Sequence, residues 1–230
     1  MFSLTPLEIE ALALSLRVAL ASVLGSLPIA IVVAWVLARR EFPGKLLLDG
    51  LVHLPLVIPP VAVGYILLVV FGRNGLIGEW LFNQFGITLI FSWSGAALAA
   101  AVMAFPLTVR AIRLALSYVD PRLENAARTL GAGRGRVAVT ITLPLALPGI
   151  LTGAVLGFAR ALGEFGATIT FVSSIPGETR TLPLALYALV QSPGGDESAG
   201  RLLVISVVVA MAALAVSEIL ARRLRRRLGT

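Results

Sequence analysis

Five windows along the chain hold long runs of apolar residues broken by almost no charge: roughly 18–37, 51–71, 89–109, 145–171 and 202–220. None alternates with the period of two that marks a half-buried strand, and each reaches the ~20 residues a helix needs to cross a lipid bilayer. The pattern predicts five membrane-spanning helices. A sixth apolar piece, "TLPLALYALVQSP", is too short to cross and reads as an amphipathic or re-entrant helix near residues 182–191. Between the third and fourth windows the pattern changes. "RLENAARTLGAGRGRVAVTITLP", Arg122 to Pro144, carries four arginines and three glycines and has no continuous apolar face.

Composition supports lipid as the main solvent. Of the 230 residues 58% are hydrophobic and only 13% charged, against about 25% charged in an ordinary soluble domain. Mean hydropathy is +0.95. The chain is therefore expected to be one all-α, multi-pass membrane domain over residues 1–230. Without cysteine it can form neither disulfides nor thiolate metal sites, and the lone His53 lacks the neighbours a metal needs. No metal and no cofactor are expected. The N-terminus has acids and no early basic residues, so it lacks the positive region of a signal peptide.

The net charge of +7 is unevenly placed. If the tail arginines Arg222, Arg223, Arg225, Arg226 and Arg227 face the cytoplasm, five spans put the N-terminus outside. Arg39, Arg40, Lys45, Arg110, Arg113, Arg122, Arg128, Arg134 and Arg136 then fall inside with them, fourteen of the nineteen basic residues. Only Arg73, Arg180 and Arg201 fall outside, with Arg17 and Arg160 within or at the ends of spans. Such an imbalance orients a multi-pass protein. It also explains the basic runs without nucleic acid, which is not expected as a partner.

Several spans carry more than grease. Pro55, Pro59 and Pro60 open the second, where they remove amide donors that lipid cannot replace, so the freed carbonyls must face protein or a water-filled path. Pro28, Pro106 and Pro148 are expected to kink other spans, while Gly149, Gly153 and Gly157, four apart, suit close helix contact. In "FARALGEFGATITF", Arg160 and Glu164 are four apart and should share one helix face as a pair. Charges at bilayer depth are expensive, so they mark either an ion pair that locks helices or a translocation path. Pro59, Pro60, Arg160 and Glu164 are the pathway candidates. No HExxH, GxSxG, clustered acid–histidine set or GxxxxGK[ST] phosphate loop is present, so no catalytic residues are expected.

The polar segment resembles a known motif. "ENAARTLGAGRGRVAVTITLP" is similar to the EAA loop of bacterial ABC importer permeases, roughly E-A-A, three residues, Gly, nine residues, I-x-L-P. Here Ala126, Ala127, Gly131, Ile141, Leu143 and Pro144 stand at those spacings. Asn125 occupies the usual place of the motif's Glu, and Glu124 lies one residue earlier. Longer stretches, including "HLPLVIPPVAVGYILLVVFGRNGLIG" and "ARALGEFGATITFVSSIPGETRTLPLALY", resemble molybdate importer permeases, and sulfate permeases share the G-E-F-G-A element.

The resemblance implies a type I ABC importer transmembrane domain in a bacterial inner membrane, with about five spans and a cytoplasmic coupling helix within residues 120–144. It implies a homodimer embedded in lipid, two cytoplasmic ATPase subunits that hydrolyse the ATP, and an external oxyanion-binding protein. The expected cargo is molybdate or tungstate, with a sulfate/thiosulfate permease as the alternative. A secondary transporter or channel is the competing class, but the inverted repeats or coupling-ion site it needs are not visible. Glu124, Asn125 and the small residues Ala126, Ala127 and Gly131 are expected to meet the ATPase. Gly131 is expected at a positive φ, and Gly131 and Gly133 are expected to end the loop's first helix.

Overall fold

The structure, a computed structural model, describes residues 5–228, with side chains as far as Val216 and at Ile219. The side chains of the tail arginines lie outside the described residues. Eleven helices follow in order among the described residues: α1 Pro6–Arg39, α2 Lys45–Val57, α3 Pro60–Phe71, α4 Leu76–Phe85, α5 Trp93–Ser117, α6 Pro121–Thr129, α7 Arg134–Val137, α8 Leu143–Leu162, α9 Gly166–Val172, α10 Leu182–Val190 and α11 Asp196–Leu228. A single π-helical stretch, Ala138–Thr142, joins α7 to α8 without a break.

Four helices are long and apolar enough to span alone: α1, α5, the run Arg134–Leu162, and α11 as far as Val216. At about 1.5 Å per residue, the 34 residues of α1 reach about 51 Å, well past the ~30 Å hydrocarbon layer. The start of α1 is set by a capping box. The Thr5 hydroxyl accepts from the Glu8 amide at 3.3 Å, and the Glu8 carboxylate accepts from the Thr5 amide at 2.7 Å.

Two expected spans are broken, and in the second the break has a clear chemical cause. The second is two helices, α2 and α3, set at 115° to one another. Ile58 (ψ 140°) and Pro59 (ψ 135°) are both extended, because a residue that precedes proline is pushed out of the helical region. Pro60 then opens α3, where its missing N–H costs nothing. The fourth, expected to run unbroken over 145–171, stops at Leu162, crosses Gly163–Phe165 and resumes as α9. At its other end it begins earlier than expected, at Arg134. The π stretch sits just before Pro144, which cannot donate to a carbonyl one turn back, and a wider turn absorbs that loss. By contrast, Pro28, Pro106 and Pro148 lie inside uninterrupted helices.

The core is built on α5, which packs against α1 and α8. Small residues allow the approach: Ala96, Ala99 and Ala100 meet Val18 and Ala19, and further along Ala30 and Ala34 join Val109 and Ile112. The glycine row behaves as its spacing predicts. A Cβ on Gly149 would overlap Ala115, one on Gly153 would press on the Thr108 carbonyl, and one on Gly157 would strike the Thr108 hydroxyl. On the outside, α11 presents Val204, Val207, Val208 and Met211, an apolar face suited to lipid. The short helix expected near 182–191 is α10; the Leu182 amide at its start donates to Ser15 of α1 at 2.7 Å.

Candidate functional site

Two places in this bundle bring polar residues together beyond what topology requires. The first is the arginine-rich end around α6. Asp120 caps the helix by accepting from the Arg122 amide at 2.8 Å, and Pro121 occupies its first turn. The helix ends in a Schellman motif: Gly131 donates to Arg128 O at 3.0 Å and Ala132 to Ala127 O at 3.1 Å. Gly131 has φ +86°, as expected, a value a side chain tolerates badly. A Cβ there would meet no atom of this chain within 4 Å, so any crowding must come from another molecule. Gly133 differs from expectation. With φ −65° it opens α7 rather than ending α6.

Nearly all of α6 is open. Arg122, Leu123, Asn125, Ala126 and Thr129 are exposed, Ala127 is half-buried, and Leu130 just beyond the helix is 88% exposed. Ile141 and Leu143 are half-buried and Pro144 is exposed where the chain turns into α8. Glu124 is the exception, at 8% exposure. It faces inward, not out with Asn125. Its Oε1 lies 3.0 Å from Nη2 of Arg39 and accepts from the Thr142 hydroxyl at 2.9 Å. Its Oε2 lies 3.3 Å from Arg128. The expectation that Glu124 meets an outside protein is therefore not how this side chain is placed. Beside it opens a cavity of about 390 Å³, lined among others by Trp35, Arg39, Arg40, Glu124, Arg128 and Arg134.

The second place is where the two broken spans meet. Helix α3 packs on α9. A Cβ on Gly166 would come within 2.7 Å of Pro60, and one on Gly64 within 2.6 Å of Ala167 O. Both glycines are thus needed for the two breaks to abut. Glu164 sits two residues before Gly166, and Pro59 and Pro60 are exposed on the near side. Arg160 and Glu164 do pair, Nη1 to Oε2 at 2.6 Å, but not on one continuous helix face as expected. Helix α8 ends at Leu162, and Glu164 lies in the break. That contact is charge against charge without hydrogen-bond alignment, since Oε2 has no hydrogen-bond partner. The other oxygen, Oε1, accepts from the Ala167 amide at 2.8 Å and so caps the start of α9. Glu164 is 3% exposed, whereas the Arg160 side chain keeps 26% of its surface open. A cation with open surface beside a broken helix can touch an anion that passes; a buried carboxylate can only hold it in place.

Some polar partnerships gave no motif in the sequence. Asp49 accepts from Nη1 of Arg113 at both oxygens, each at 2.9 Å, and pins α2 to α5 across 64 residues. His53, inside α2, joins the same group with Nδ1 2.9 Å from Asp49 O. Glu8 meets Arg201 at 3.3 Å at the opposite end of the bundle. Arg17 lies 3.8 Å from the Trp93 ring centre. Spacing alone could have suggested Asp49–His53; the other pairs are distant in sequence. Among the described residues no group of three His, Cys, Asp or Glu gathers as a metal site.

Residues 26–230 match the family described as the binding-protein-dependent transport system inner membrane component. The chain is 65% identical over 226 residues to the Molybdenum transport system permease protein ModB of Escherichia coli (strain K12), covering 98% of this chain and 99% of that one. It is 37% identical over 214 residues, 93% of this chain and 77% of the other, to the Sulfate transport system permease protein CysW of Synechocystis sp. (strain ATCC 27184 / PCC 6803 / Kazusa). Among solved structures, a chain of a bacterial ABC transporter involved in the import of the acidic polysaccharide alginate superposes with a TM-score of 0.76 at 20% identity, covering 96% of this chain and 80% of that one. At that identity the likeness speaks to the fold alone.

Proposed function

The chain belongs to the inner membrane components of binding-protein-dependent transport systems, and from that premise we propose that it passes molybdate inward as the permease subunit of an ABC importer. The observation that carries the cargo is the near full-length similarity to a molybdenum transport permease at 65% identity, against 37% to a sulfate permease. ATP hydrolysis belongs to a separate subunit. In this reading two copies of the chain form the membrane unit, two ATPase subunits sit beneath it, and an external oxyanion-binding protein delivers the anion.

The geometry supports a division of labour. Helix α6, exposed on most of its surface and stopped by a positive-φ glycine, is the docking element for the ATPase; Asn125, Ala126, Ala127 and Gly131 form its contact edge. Ile141, Leu143 and Pro144 carry that edge into α8. The abutting breaks of α2–α3 and α8–α9, with Pro59, Pro60 and Arg160, border the anion path, and Glu164 tempers the arginine. A free arginine would hold a doubly charged anion too tightly to release it. An arginine already shared with a carboxylate attracts without trapping.

Counting the bent pair α2–α3 as one crossing gives five, an odd number that puts the termini on opposite sides. The excess of basic residues at the C-terminal side then favours an outside N-terminus and a cytoplasmic C-terminus. The Glu8–Arg201 pair then lies at the outer end and the Arg39–Glu124 group at the inner end. Reporter fusions check this: one after the last residue should be active only in the cytoplasmic form, and one near Gly194 only in the periplasmic form. The opposite pattern refutes the orientation.

The functional test is to purify the chain with its ATPase in lipid and measure ATP hydrolysis as binding protein is added. Stimulation by molybdate-loaded binding protein, and little by sulfate-loaded protein, is the expected result. Preference for sulfate would reassign the cargo. Indifference to both would remove the importer reading.

A further inference from the structure

Glu124 has the surroundings of an internal strut. Its carboxylate holds Arg39, in the last turn of α1, and Thr142, the last residue before α8. The same Arg39 Nη2 donates to Val119 O at 3.1 Å, just past the end of α5. The carboxylate thus touches α1 and α8 directly and reaches the end of α5 through Arg39, and these three helices form the core of the bundle. It is also the one buried side chain of α6. Apart from it, α6 meets its neighbours only lightly.

We propose that Glu124 is a positioning residue that transmits movement of α6 to α1 and α8, and does not itself contact the ATPase. The inference rests on the docking role of α6 given above. An exposed helix of nine residues, attached to the bundle mainly at its two chain ends, could be pushed without moving anything else. A carboxylate held by two guanidiniums and a hydroxyl changes that. Hydrogen-bond and ion-pair networks of this kind carry coupling between distant sites. Displacing α6 must pull on Arg39 and Thr142 or break their contacts with a buried charge. Through Thr142 the displacement enters α8, whose far end bears Arg160; through Arg39 it enters the inner end of α1.

The absence of cysteine in the native sequence makes a direct test simple. The readout is molybdate transported per ATP hydrolysed in proteoliposomes containing the chain, its ATPase and loaded binding protein. Glu124→Gln should lower that ratio about tenfold, within the usual 5- to 150-fold span of coupling between sites, while the ATPase subunit still co-purifies. Thr142→Val should lower it less. The sharper arm is Arg39→Cys with Glu124→Cys, which removes both charges and leaves thiols beside the 390 Å³ cavity, open to a reducible bifunctional methanethiosulfonate reagent. Cross-linking should restore coupling and reduction should abolish it again, a cycle that a purely stabilising ion pair would not produce.

Normal coupling in Glu124→Gln would overturn the proposal. So would loss of the ATPase subunit from that variant, which would put Glu124 in the docking contact itself. Should Glu124→Gln fail to accumulate, Thr142→Val and the cross-linked pair decide alone: unchanged coupling in the first, or no recovery in the second, overturns the strut. Failure of the docking reading shows separately, as normal transport by Gly131→Leu.

Discussion

Two of the buried glutamates, Glu124 and Glu164, each have an arginine four residues away, and they end in opposite surroundings. Glu164 finds all its partners nearby in sequence: Arg160 four residues before and the Ala167 amide three residues after. Glu124 takes its local partner, Arg128, only at 3.3 Å on a side chain 48% exposed. Its closer contacts are Arg39 and Thr142, 85 and 18 residues away. Both acids are buried, but one closes a local break and the other joins separate helices. Spacing in a sequence reveals that two charges can meet. It does not reveal whether they will prefer each other.

Removing each group in turn should separate the two roles. The largest loss is expected from Glu164→Ala. It strands Arg160, whose side chain is 26% exposed, without its partner and frees the start of α9. For a fully buried pair such a break costs about 3–5 kcal/mol, an upper bound here. Membrane levels should fall, as read by quantitative blotting, and Arg160→Ala with Glu164→Ala should recover part of the loss. If that double variant accumulates well yet takes up little molybdate, Arg160 serves the anion path. Wild-type uptake would leave the pair structural and end the pathway role.

Gly131→Leu comes next. Forcing a side chain into φ +86° costs about 1–3 kcal/mol, all of it in an exposed turn, so the protein should stay in the membrane while transport stops. Thr142→Val removes one hydrogen bond to Glu124, a loss of about 0.5–1.5 kcal/mol, detectable as a lower melting temperature in detergent. The smallest effect is expected from Arg128→Ala. Its half-exposed ion pair is worth about 0–1 kcal/mol, and a large fall in stability would show that Glu124 depends on its local partner after all.

The same contrast explains what the sequence disclosed. Three unbroken spans, α1, α5 and α11, the short helix α10, the glycine row against α5 and the positive φ of Gly131 all depend on local pattern, and each is expected. The second and fourth spans were expected whole because hydropathy sums over a window and does not register where a backbone turns. Pro59–Pro60 announces a disturbance, but neither the 115° between α2 and α3 nor the close fit of Gly64 on α3 against α9 can be read from a hydropathy window. Glu124 was expected to face outward because the motif it sits beside docks another protein. Its burial depends on Arg39 and Thr142, which no spacing rule connects to it. Ends of spans that gather on one side of a membrane are the one signal that could have hinted at this pairing.

The central claim is that energy enters through α6 and moves an oxyanion past the broken helices. The most direct measurement is uptake of labelled molybdate into proteoliposomes holding the chain, its ATPase and the external binding protein, with ATP on the ATPase side. Accumulation that needs all three proteins and ATP, resists excess sulfate, and disappears with Gly131→Leu is the predicted result. Accumulation without ATP, or unchanged uptake by Gly131→Leu, would contradict it.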